Sequence, residues 1–97
     1  MFEIEVPDMI GKARVICYAV VNLWLPTGNT QHFVSSELQA AAYGLAICQY
    51  KSGDGYYLFY CNSDWIEFVD TWHETIDDAK DQAEYEYAGI ANSWNCK

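Results

Sequence analysis

Apolar and acidic side chains alternate along Phe2, Glu3, Ile4, Glu5 and Val6, the period of a half-buried strand, and Pro7 ends the run because proline cannot donate to a ladder. Residues 8–12, with Gly11 among them, read as a connection. Residues 13–25 are dominated by Val, Ile, Tyr and Trp. Such side chains fit a pleated sheet better than a helix, so a long strand is expected, with a buried helix as the alternative. Pro26, Thr27, Gly28 and Asn29 supply turn chemistry, and residues 31–35 would return as the second arm of a hairpin. Ser36 and Gln39 stand at capping-box spacing before three alanines and Gly44, which predicts a helix of about two turns.

The pattern is clearest in the second half. Residues 45–51 and 56–61 are β-prone runs around a short loop containing Gly53, Asp54 and Gly55, and residues 65–69 add a third strand after a tight connection. Tyr56, Leu58 and Tyr60 would point to one sheet face and Tyr57, Phe59 and Cys61 to the other. With both faces apolar, this should be a central strand, covered on one side by a helix and on the other by aromatic or partner contacts. Residues 75–88 predict that helix. Thr75 with Asp78 is a capping-box-like pair, Asp77 and Asp78 complement the dipole, and Gly89 stands as the stop. Ile76, Ala79, Ala83, Tyr87 and Ile90 form one stripe of period 3.6. Asp77, Lys80, Asp81 and Glu84 should face solvent, and Trp94 in the tail should fold back onto the domain. The expected fold is α+β, a single domain over residues 1–97: an antiparallel meander of about five or six strands with one C-terminal amphipathic helix on one face.

With 97 residues, 52% hydrophobic and 16% aromatic, the chain can fill one core. Five Lys and Arg against 14 Asp and Glu give a net charge of −9, which disfavours nucleic acid and anionic membrane as partners. The same acidity keeps an aromatic-rich protein soluble, or forms a face that steers a basic partner. The apolar run over residues 15–25 is broken by Asn22 and is short of the roughly 20 residues a spanning helix needs. Cys17, Cys48, Cys61 and Cys96 show no CxxC spacing, and the first 15 residues lack the pattern of a secretory signal. The expectation is therefore a cytoplasmic protein with free thiols, Cys48 and Cys61 serving as small buried hydrophobes.

His73 to Asp77 reads HExxD, one letter from the HExxH zinc motif, and makes Asp70, His73 and Asp77 a weak candidate metal or small-molecule site. As structural residues, Trp72 and His73 would form a strand-to-helix corner, and the surrounding acids a solvated helix face. Phosphate-cradling and nucleophile-elbow motifs are missing, and Cys–His chemistry would need His32 or His73 beside a cysteine, which spacing does not support. The reading is non-enzymatic, without cofactor. Eight Tyr, four Phe and four Trp exceed what one small core readily buries. Tyr56, Tyr57, Tyr60, Trp65 and Trp72, with Tyr50, are the candidate interaction residues, since Tyr and Trp anchor interfaces. Any one of them could equally fill the sheet–helix core.

Gly44-Leu45-Ala46-Ile47 with Gln49-Tyr50, Gly55 to Cys61 (GYYLFYC) with Asp64-Trp65, and Asp70-Thr71-Trp72-His73 lead into Ala79, Gln82-Ala83-Glu84-Tyr85-Glu86-Tyr87 and Gly89-Ile90. Over this half, the chain resembles a family of small acidic uncharacterised bacterial proteins, some of them similar in size and acidity to immunity proteins of toxin systems. The resemblance implies a bacterial cytoplasmic protein with no assigned activity and no established functional residue. Together these readings point to a protein–protein interaction role, with a basic protein or a second copy in a homodimer as partner.

Overall fold

A computed structural model describes residues 6–21, 33–34, 37–38, 42–51 and 53–97. The strand expected over residues 2–6 lies outside them except for Val6, which is not in a strand; so do residues 22–32, with the expected turn, and most of the expected helix after Ser36.

The chain forms β1 (Met9–Ile10), β2 (Ala13–Val20), β3 (Phe33–Val34), β4 (Glu37–Leu38), β5 (Gly44–Tyr50), β6 (Tyr56–Cys61), β7 (Glu67–His73), α1 (Ile76–Glu86), a 3-10 turn at Ile90–Asn92 and β8 (Asn95–Cys96). One antiparallel sheet runs β1-β2-β5-β6-β7, with β8 also paired to β2, and β3 and β4 make a separate small ladder. The α+β meander with one helix on it is thus the observed fold.

Three expected segments differ. Met9–Ile10, expected within a connection, is a short strand, because the tight turn at Gly11-Lys12 folds it back onto β2. Glu37–Leu38 is not helical but pairs with Phe33–Val34, as suits a segment too short to nucleate a helix alone. The third meander strand begins at Glu67 rather than Trp65 and runs through His73, so Trp72 and His73 belong to a ladder and not to a corner. Trp65 instead occupies a left-handed corner with φ +60°, a conformation costly for a bulky residue. Asn62 compensates: its carbonyl accepts from Trp65 N, and its side chain accepts from the amides of Asp64 and Ile66. The corner turns the indole inward over Gly44, where a methyl group would collide with the ring, and into edge-on contact with Tyr18 and Tyr43.

Each face of the sheet carries its own core. On one, Leu45, Ile47, Leu58 and Tyr60 meet Ala79, Ala83, Tyr87 and Ile90, the stripe read from the 3.6-residue period, with Trp94 folded against them. The helix therefore covers the Leu58–Tyr60 face. Thr75 is its N-cap, accepting from Asp78 N at 3.0 Å. Glu84 does not simply face solvent: its carboxylate accepts from the amides of Gly89 and Ala91 and caps the 3-10 turn. On the other face Ile10, Val15, Ala46, Cys48, Phe59 and Cys61 pack with Trp65. No helix among the described residues is long and apolar enough to cross a membrane.

Candidate functional site

The period of a strand separates the residues of the HExxD motif. His73 is registered with Tyr56 and Asp70 with Phe59, so their side chains leave β7 on opposite faces, while Asp77 stands exposed in the first turn of α1. Asp70, His73 and Asp77 are therefore not brought together. Among the described residues, no group of three or more His, Cys, Asp or Glu is placed to hold a metal ion.

The cysteines divide into two kinds. β8 lays Cys96 directly opposite Cys17, and the two form a disulfide. The expectation of free thiols fails for this pair because a ladder register joins residues 79 apart in sequence. Cys48 and Cys61 are free and fully buried, as expected. Burial, with the nearby Glu67 carboxylate contributing, pushes both thiols up to about 12, so neither is a ready nucleophile.

The candidate aromatic residues also sort by burial. Tyr60 and Trp65 belong to the two cores and cannot form a docking surface: Tyr60 lies beneath α1, and the left-handed corner folds Trp65 over Gly44. Tyr56 and Tyr57 are half-buried, and Tyr57 stacks edge-on with Tyr50, their ring centroids 5.2 Å apart. Trp72 alone of the set is exposed, at 53%. Its indole Nε1 donates to Asp54 O at 3.0 Å and its ring lies over Gly55, so it is held in place while presenting a large apolar area. Tyr85, which the periodic reading gave no role, is equally exposed on α1.

Trp72 sits on β7, whose outer edge has no strand neighbour among the described residues. Asp70 leaves β7 on the same face two residues earlier, Glu74, Asp77, Asp78 and Asp81 follow Trp72 in the sequence, and Lys80 is the single Lys or Arg between residues 52 and 96. Asp70 also bears on Glu67, three residues before it on β7. Burial, and then the adjacent Asp70 carboxylate, raise its pKa above the ordinary glutamate value.

A polar group also lies under the helix. Glu86 is buried at 4% and accepts from Gln82 Nε2 at 3.2 Å, and the Tyr60 hydroxyl stands among Glu86, Thr71 and Gln82. Burial and the neighbouring Glu86 push the Tyr60 hydroxyl well up. Thr71 Oγ1 in turn lies 2.7 Å from His73 Nε2. Glu86 falls seven residues after Ala79 and three after Ala83, on the buried stripe, which is the signal that could have found it.

Comparison of the chain with protein-family models, with curated proteins and with solved structures yields no significant match.

Proposed function

We propose that this chain is a non-enzymatic interaction protein that docks a basic protein on the acidic and aromatic surface formed by β7 and the outward face of α1, as an immunity-type or regulatory partner would. The observation that carries this reading is Trp72, exposed yet fixed by its bond to Asp54 O, near Asp70 on a strand that has no outer strand neighbour among the described residues. A rigid exposed indole supplies the anchor of an interface, and the carboxylates of β7 and α1 supply steering and selectivity for a cationic partner. The outer edge of β7 adds main-chain donors and acceptors along which an extended segment can pair. The Cys17–Cys96 bond fits an oxidising compartment better than the cytoplasm expected from the sequence.

The test is affinity capture from the source cells, then titration of the purified captured protein with wild type, Trp72→Ala and the double variant Asp70→Lys with Asp77→Lys. A basic partner should bind the wild type, lose tenfold or more in affinity to Trp72→Ala, corresponding to about 1.4 kcal/mol or more, and bind more weakly as salt is raised. A partner indifferent to all three changes, or a protein that captures nothing, would sink the reading.

A further inference from the structure

The opposite end of the sheet carries the reverse charge. β1 and β2 are joined by the two-residue turn Gly11-Lys12, with Gly11 at φ +59° and Ile10 registered with Ala13. Lys12 belongs to this turn and Arg14 lies two residues beyond it, on β2. Across the ladder Arg14 is registered with Gln49 and Ala13 with Tyr50, which sets Lys51 beside Lys12 at the end of the same row. On the outer side Arg14 is registered with Met9 of β1.

These side chains enclose a cavity of about 380 Å³ lined by Met9, Lys12, Arg14, Gln49 and Lys51. Three of the five Lys and Arg residues of a chain with net charge −9 therefore converge on one hollow. None of the three has an ion-pair partner among the described residues, although the chain holds 14 carboxylates; the one ion pair there joins Lys97 and Asp8, beside Arg14. Like charges set side by side across a ladder oppose folding. Nothing in the packing of this exposed corner requires them, since Lys12, Arg14 and Lys51 all lie at the surface.

We propose that this cleft is a binding site for a small diphosphate-bearing molecule. Three cationic side chains around one hollow match the three or more negative charges of a diphosphate better than the one or two of a single phosphoryl group. Arg14 offers a planar fork for bidentate contact with phosphoryl oxygens, and the two lysines add mobile point charges on either side. Gln49 is anchored by its Nε2 donating to Gly55 O at 3.4 Å. Met9, 48% exposed, supplies an apolar wall for the organic remainder. The field of the whole chain repels anions at a distance, which selects against a long polyanion such as nucleic acid and favours a small ligand gripped at several points. This site is independent of the β7–α1 docking surface.

The test is calorimetric titration at low ionic strength with pyrophosphate, inorganic phosphate and citrate. Pyrophosphate should bind one per chain, at least tenfold tighter than phosphate or citrate. Lys51→Glu should weaken it at least tenfold, whereas Lys80→Glu, which changes net charge by the same amount on α1, should leave it within about twofold. Lys51→Gln should give the same ranking and serves where the Glu variant melts early. Equal losses in the Lys51 and Lys80 variants, citrate binding as tightly as pyrophosphate, or no binding of pyrophosphate would each overturn the site.

Discussion

The edge formed by β7 and α1 and the hollow formed by β1, β2 and the end of β5 are opposite in charge and opposite in construction. At the first, an ordered indole and a run of acidic residues share a strand and the helix that follows it, with no outer strand neighbour among the described residues. At the second, cations from separate stretches of chain meet in one concavity. A net charge of −9 describes neither. The comparison teaches that a summed charge bounds solubility and long-range steering, while binding depends on how the strand register groups individual side chains.

The hardest way to break the comparison is to unfasten the cationic end. Cys17–Cys96 holds β8 on β2, and the final residue is tied there too: Lys97 N donates to Ile16 O, and Lys97 Nζ to Val6 O and Asp8 Oδ1, each at 2.8 Å. Lys97 holds the Asp8 carboxyl below its ordinary range, and this contact depends on the tail staying in place. Cys96→Ser should destabilise the protein by about 2–4 kcal/mol. Denaturant unfolding should show that loss, with increased amide exchange near Lys97 and unchanged protection in α1. An unchanged midpoint would mean that the strand pairing alone secures this end.

A smaller effect sharpens the anionic end. Glu67 has a raised pKa in the folded protein, so the stability it allows is present below its ordinary value near 4.5 and is lost as pH rises through the folded value. His73 has a pKa lowered by burial, partly offset by Asp78, so its contribution is present above about 6.5 and is lost as pH falls through the folded value. The two trends oppose one another, and single variants separate them. Glu67→Gln should raise stability at pH 7 by about 0.5 kcal/mol and lose that advantage towards pH 4. His73→Gln should flatten the fall in melting temperature between pH 7 and pH 5. A Glu67→Gln variant less stable than wild type at pH 7 would show that the carboxylate is held by a favourable partner, and not crowded by Asp70.

The β5–β6 hairpin and α1 were legible because local signals agree there: alternating apolar faces, a Gly- and Asp-containing loop, a Thr75 cap and an alanine stripe. Trp65 was misplaced because strand propensity favours an aromatic residue and does not register a left-handed corner built by Asn62. The interaction set was only partly legible for the same reason. Composition shows a surplus of aromatic residues, but packing decides that Tyr60 and Trp65 are inside and Trp72 outside. The disulfide and the cationic hollow were not legible, since each joins segments distant in sequence. The alternation of Lys12 with Arg14 and of Gln49 with Lys51 was present, but only the register of β2 on β5 sets the pairs side by side.

The most direct test is a pair of amide chemical-shift titrations, one with pyrophosphate and one with a short oligolysine peptide as a generic basic ligand. Pyrophosphate should move the amides of residues 9–14, 49–51 and 97, and oligolysine those of β7 and α1 around Trp72, the two sets remaining disjoint. Overlapping sets, or a spectrum that pyrophosphate leaves unchanged, would contradict the existence of two separate sites of opposite charge.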